Sequence, residues 1–254
     1  MSDEVRYERV GAAAVLTIDR PARRNAVDGT TSAALREGFD AFVSDDDARV
    51  LVLTGGSGTF CAGADLKDLV SLGLTSPSEG GPLGFTRLAS PKPTIAAVEG
   101  WAVAGGLELA LWCDLRIAAE DAKFGCTERR WGVPLIDGGT QRLPRIVGMG
   151  RALDLILTGR IVEAGEAHAM GLVTEVVPSG GALARALEMA EGLAAFPQET
   201  MLADRAAALE GFGLPLDAGL AVEWRHGAAV ASVGLQGAQR FAGGEGRGGA
   251  GAGV

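Results

Sequence analysis

The residues best suited to chemistry in this chain are two glutamates, each set beyond a turn of small residues. The apolar run Thr94 to Val98 (TIAAV) passes through Glu99-Gly100-Trp101-Ala102-Val103-Ala104 into Gly105-Gly106, and Glu108 follows in the first turn of an expected helix that runs into Trp112. A strand, a small-residue turn and a helix start present free backbone N–H groups at the positive end of a helix dipole. Glycine lets a ligand approach that backbone closely. Glu108 lies on about the same face as those donors, so the segment could hold a developing oxyanion with a carboxylate beside it. The same residues would also serve close packing of a helix on a sheet, with Glu108 only complementing the dipole.

Two further segments repeat the layout. Phe60 to Leu66 (FCAGADL) follows the apolar run Arg49 to Thr54 (RVLVLT), and two such turns could each aim one N–H at a single oxygen. Phe124 to Gly132 (FGCTERRWG) sets Glu128 just after a short expected strand and leads into Asp137-Gly138-Gly139.

The elements that must position these groups follow from periodicity. Val5 to Val10 and Ala13 to Ile18 read as a hairpin around Gly11, and a helix capped by Thr30 or Thr31 is expected through about Ser44. Residues 49–54, 94–98, 115–119 and 172–177 are short apolar runs typical of strands buried on both faces, with helical segments between them. Alternation of this kind implies an α/β protein with a mainly parallel sheet. From about Gly180 the pattern becomes helical, broken at Pro197, around Gly211 to Pro215, and at Gly234. The expected organisation is an α/β body over residues 1–195, a helical region over 196–242 and a flexible Gly-rich tail over 243–254. Gly73 to Gly84 reads as a mobile loop.

Composition removes several classes of function. A net charge of −9 argues against nucleic-acid binding, which needs a surplus of Lys and Arg. Three scattered cysteines (Cys61, Cys113, Cys126) and two distant histidines (His168, His226) make a disulfide framework, a metal site or a Ser-His-Asp triad poor expectations. No GxxxxGK is present, the stretch Ala104-Gly105-Gly106 lacks the GxGxxG spacing of a dinucleotide fold, and Gly55-Gly56-Ser57-Gly58 has Thr59 where a nucleophile elbow needs Gly. The N-terminus is polar and acidic, and charges interrupt every apolar stretch well short of a membrane span. The expectation is a soluble cytoplasmic protein.

Taken in order, these segments resemble the enoyl-CoA hydratase/isomerase (crotonase) superfamily. The matching pieces are Arg20-Pro21, Asn25-Ala26, FCAGADL at 60–66, AVAGGLELALWCD at 102–114, FG at 124–125, Glu128, GGTQRLPR at 138–145, LTGR at 157–160 and GLVTEVVP at 171–178. The resemblance implies a crotonase-like ββα spiral with a C-terminal helical trimerisation region, assembled as a homotrimer or as a hexamer built from two trimers. It implies an acyl-CoA thioester substrate, an oxyanion hole made by the amides of Ala64 and Gly105, and Glu108 and Glu128 as the catalytic pair of the two-glutamate hydratases. Such an enzyme is a lyase of fatty-acid metabolism, adding water across the 2,3 double bond of a trans-2-enoyl-CoA to give a 3-hydroxyacyl-CoA. In that comparison Glu128 handles the Cα proton and Glu108 helps to hold the water. No metal and no separate cofactor are implied, since CoA is part of the substrate. Arg24 would face the CoA nucleotide or its phosphates, with Arg23 a weaker candidate, and the segment Ala62, Asp65, Leu66 and Lys67 would line the adenine site. For these charged residues a solvated surface is the other reading.

Departures from the family pattern leave other activities open. Glu99 and Trp101 stand where many hydratases have Asn and Tyr, and a bulky Trp101 would reshape the pocket. Arg129, Arg130 and Trp131 follow Glu128, where aliphatic residues are frequent, and either arginine could pair with a carboxylate and hold it ionised. Asp137 has no assigned role and could cap a helix starting near Gly138. The alternatives are a Δ3,Δ2-enoyl-CoA isomerase, which the presence of Glu108 disfavours, and a catalytically idle acyl-CoA-binding homologue.

Overall fold

Gly11 sits in the left-handed region (φ 59°) and turns β1 (Val5–Val10) back on β2 (Ala13–Ile18) with the antiparallel register Val5 to Ile18. β1 is largely exposed and β2 buried, as expected for an edge strand beside an interior one. Helix α1 (Gly29–Ser44) begins earlier than expected from Thr30 or Thr31. Asp28 is its cap, with extended backbone and a carboxylate that accepts from the Thr31 N–H, an interaction worth about 1 kcal/mol. Thr31 lies inside the helix, its hydroxyl also bound to Asp28.

The computed structural model describes residues 4–74 and 79–245. Strands β3 (Val50–Gly55), β4 (Thr94–Val98), β6 (Leu115–Ala119) and β9 (Glu175–Val177) complete a six-stranded sheet of order β1-β2-β3-β4-β6-β9, parallel from β2 onward. β9 is shorter than the apolar run at 172–177. The amides of Leu172 and Val173 are both committed to the Ala167 carbonyl, so ladder pairing starts only beyond them.

Of a second, three-stranded sheet, only the short strand before Glu128 was expected. The strands of this sheet are β5 (Trp101–Val103), β7 (Lys123–Gly125) and β8 (Val162–Glu163), in the order β5-β7-β8. Cys61 joins its open edge through a parallel bridge to Ala102. Residues 99–106, read above as one turn, therefore contain a strand. Between these strands run α2 (Gly105–Trp112), α3 (Gly139–Val147), α4 (Met149–Thr158) and α5 (Ala164–Ala169). An aromatic trio anchors α2: Phe85 stacks on Phe39 at 5.5 Å and meets the edge of Trp112 at 4.6 Å, and the Trp112 indole N–H donates to the Leu88 carbonyl.

The chain divides into two compact units, Met1–Ala190 and Glu191–Val254, with the division falling inside α6 (Ala182–Ala195). In the second unit α7 (Gln198–Gly211), α8 (Leu216–Ala229) and α9 (Ala231–Ala242) pack on one another. The break between α8 and α9 falls at Val230, and Gly234 lies within α9; one glycine costs a helix only about 1 kcal/mol and does not end it. The expected tail lies, from residue 246 on, outside the described residues, as do residues 75–78 of the expected mobile loop. The described part of that loop is otherwise than expected: Gly80, Gly81, Leu83 and Gly84 are buried and hydrogen-bonded. Among the described residues no helix is long and apolar enough to cross a membrane.

Candidate active site

Three consecutive passes of the chain enter the small sheet side by side and parallel: Cys61, β5 and β7. Each pass leaves its strand in the same direction, so the residues just beyond are brought together although some 40 and 20 residues separate them in sequence. Those residues are Ala64, Gly105 and Glu128. With Glu108 they line one cavity of about 110 Å³, walled also by Leu72, Leu83, Trp131 and Ile136.

The amides of Ala64 and Gly105 make no hydrogen bond among the described residues. Ala64 is held by its neighbours: the Val27 N–H donates to Gly63 O and the Asp65 N–H to Val27 O, each at 2.8 Å, leaving the Ala64 amide turned the other way. Gly63 is sterically required: at φ 95° an added methyl would fall 2.8 Å from the Gly105 nitrogen, whereas one on Gly105 would press only on the end of the Leu83 side chain at 2.9 Å and stand 3.5 Å from the Ala64 nitrogen, an ordinary contact. Ala104 precedes the helix at φ 53°, ψ −128°, a conformation L residues rarely adopt. This backbone presents the Gly105 amide at the start of α2.

The two glutamates have different settings. Glu108 is buried, and its Oε1 accepts from the Asp137 and Gly139 N–H groups at 2.9 and 2.8 Å. Burial pushes its carboxyl up to about 8, against the relief of the Gly139 bond, and the charge of Asp137 adds to the rise. Glu128 stands in a 3₁₀ turn (Thr127–Trp131), and neither of its buried oxygens accepts a hydrogen bond from another described residue. Desolvation raises its proton affinity too. Arg129 and Arg130 do not pair with it. They reach the Ile156 and Gly159 carbonyls instead, because the 3₁₀ turn points Glu128 inward and the arginines outward. Trp101 also departs from expectation: it is 40% exposed under the Lys123 ammonium and is not part of the cavity wall. Glu99 accepts from the Gly180 and Ala182 N–H groups at the start of α6, a structural use. Asp137 caps nothing, since Gly138 occupies the cap position of α3.

Residues 8–233 match the enoyl-CoA hydratase/isomerase family. The chain belongs to that family. Within it, the chain is 40% identical over 195 residues to enoyl-CoA hydratase EchA19 of Mycobacterium tuberculosis, covering 74% of this chain and 73% of that protein. It is 38% identical to crotonyl-CoA hydratase of Syntrophomonas wolfei, with 87% of each covered. The crystal structure of enoyl-CoA hydratase EchA1 from Mycobacterium marinum superposes with a TM-score of 0.88 at 37% identity, covering 95% of this chain and 96% of that one.

This family member places the remaining expected residues unevenly. Ala62 and Leu66 line the cavity, whereas Lys67 is exposed and outside its wall. The Asp65 carboxylate is turned away into the buried Arg20 guanidinium at 3.6 Å and accepts from the Lys67 N–H, so it braces the turn. Arg24 is exposed, with its carbonyl accepting from the Ala62 N–H at 3.1 Å, and therefore adjoins the Ala62 to Leu66 segment. Arg20, a residue without a role in the sequence reading, is the hub of this region, paired with Glu4, Asp28 and Asp65. Its signal in the sequence was only the Arg20-Pro21 pair.

The raised affinity of Glu108 has a consequence for stability. Between about pH 4.5 and about 8 the folded protein keeps a proton that the unfolded chain has released, so stability falls as pH rises through that window. Glu108→Gln removes this contribution. Urea unfolding at pH values near the two ends should show a shallower loss for the variant, and equal slopes would contradict the assignment.

Proposed function

We propose that the protein is an enoyl-CoA hydratase that adds water to a trans-2-enoyl-CoA, with Glu108 and Glu128 as the catalytic pair and the Ala64 and Gly105 amides as the oxyanion hole. The observation that carries the reading is the convergence of two unengaged amides and an unpartnered buried Glu128 on one cavity. The named hydratase relatives support the same chemistry.

The geometry performs the addition in balanced steps. The thioester oxygen receives the Ala64 and Gly105 N–H groups, which hold the enolate-like charge more strongly than the ground-state carbonyl. In its ionised form, reached as pH rises toward about 8, Glu108, clamped through Oε1, offers Oε2 to a water; the water oxygen bonds to Cβ and its proton passes to Glu108. Glu128 releases its proton to Cα. Return of the proton from Glu108 to Glu128 resets the site, and the sum is addition of one water. The reaction so written transfers no electrons, so it calls for no redox cofactor. An isomerase needs only one shuttling carboxylate, and the clamped second carboxylate Glu108 favours hydration. Against the idle-binder reading, Arg129 and Arg130 donate to the Ile156 and Gly159 carbonyls and form no ion pair with Glu128, whose proton affinity stays raised although the charge of Arg129 tempers the rise.

The test is loss of the enoyl-thioester ultraviolet absorbance when purified protein meets crotonyl-CoA and longer enoyl-CoAs. Absence of decay with every chain length, despite binding, would overturn the reading. In the same assay Arg24→Ala should raise KM about tenfold through a lost charge-assisted phosphate contact, with kcat nearly unchanged; an unchanged KM would remove Arg24 from the CoA site. We further assign a trimeric or hexameric assembly, supported by the exposed Leu216, Leu220, Trp224, Leu235 and Phe241 on α8 and α9. A cytoplasmic location is supported by the three buried free cysteines, which suit a reducing compartment.

A further inference from the structure

A third carboxylate, Asp137, lines the cavity, and the mechanism above does not use it. It is 4% exposed, and its Oδ1 accepts from the Leu83 N–H at 3.0 Å and the Thr86 hydroxyl at 2.5 Å. Its own N–H donates to Glu108 Oε1, and its carbonyl accepts from Arg142, whose other nitrogen donates to the Thr86 carbonyl. Leu83 in turn packs against Gly105, where an added methyl would lie 2.9 Å from its Cδ1. One residue therefore joins three parts of the site: the 80–88 segment that packs against Gly105, the turn that clamps Glu108, and the start of α3.

Resting on the hydratase reading, we propose that Asp137 is a positioning residue that ties the 80–88 segment to the Glu108 clamp and sets the charge against which Glu108 works. Four charged groups face this point from the surrounding elements. Glu108 (α2) and, beyond it, Glu128 (3₁₀ turn) are the carboxylates; Arg87 (80–88 segment) and Arg142 (α3) are the cations. The arginines moderate Asp137 itself, whose burial nonetheless raises its proton affinity. An ionised Asp137 beside Glu108 makes Glu108 a stronger base, because removing its proton would place two negative charges side by side. Full removal of the carboxylate would also strand the Leu83 N–H in a buried place and leave the Thr86 hydroxyl only the Gly80 carbonyl at 3.5 Å.

Two substitutions separate the tie from the charge. Asp137→Asn keeps an oxygen for Leu83 and Thr86 but carries no charge. The acid limb of kcat/KM with crotonyl-CoA should then move to lower pH by about half a unit or more, with kcat reduced and the fold intact. Asp137→Ala should lose the tie, raising amide hydrogen exchange across residues 81–86 and 137–139 and lowering kcat/KM at least about tenfold. Hydrogen exchange reads the tie without any turnover, so it stands even if the wild-type protein hydrates no enoyl-CoA. Unchanged exchange in Asp137→Ala would overturn the tie, and an unmoved pH profile in Asp137→Asn would overturn the electrostatic role.

Discussion

Glu128→Gln is expected to cut hydration of crotonyl-CoA by a factor on the order of 10² to 10⁴, the usual contribution of one positioned acid or base, while acyl-CoA affinity stays within about twofold. The reason lies in the isolation of this side chain. Both oxygens are buried without a hydrogen bond from any other described residue, so nothing in the resting site holds the carboxyl for a structural purpose. Burying a carboxyl without partners is costly, and a fold keeps such a group only where it meets a partner transiently. Glutamine has almost the same volume and keeps an acceptor oxygen, so the cavity and the CoA contacts should survive. What it lacks is a proton of suitable acidity to give to Cα. The check is steady-state turnover by absorbance beside calorimetric titration with a saturated acyl-CoA. Retained turnover would remove Glu128 from the mechanism, and lost binding would make its role structural.

Gly63→Ala is expected to lower kcat by a factor on the order of 10² to 10³, the loss seen when one oxyanion donor is disabled. Two independent costs meet at this position. The backbone is at φ 95°, which an L residue adopts only with strain, and the added methyl would sit 2.8 Å from the Gly105 nitrogen, on the donor itself. The methyl either blocks the thioester oxygen or pushes the Gly105 amide out of line with that of Ala64. Gly58→Ala provides the comparison, since Gly58 also has positive φ (71°) but nothing lies within 4 Å of the added methyl. A Gly63→Ala enzyme with wild-type kcat would mean that these amides do not hold the reacting oxygen. Equal losses in both variants would make backbone strain alone responsible.

The boundaries of β2, β4 and β6 coincide with the apolar runs that marked them, because buried parallel strands are continuous apolar stretches bounded by breakers, while β1 and α2 were marked by the Gly11 turn and the small-residue turn before Gly105. Of the second sheet only the short strand before Glu128, β7, was legible, and its pairing was not. β5 and β7 are three residues long and β8 two, too short for any periodicity, and they exist only because neighbouring passes supply their hydrogen bonds. The same limit explains Arg129 and Arg130, whose direction depends on a single 3₁₀ turn, and Trp101, which a strand of the small sheet turns toward solvent.

By itself, the sequence determined which groups are available: two glutamates, two glycine-bearing turns and an acidic, cysteine-poor chain whose motifs carry the family. Those are properties of residue type and local spacing. Tertiary structure alone decided that Ala64, Gly105 and Glu128 share one cavity, since parallel pairing of Cys61, β5 and β7 carries the three turns to the same side. It also decided that Asp65 braces a turn against Arg20 and that Asp137 stands beside Glu108. Proton affinities and hydrogen-bond partners arise from burial and from neighbours distant in the chain, and no local pattern encodes them.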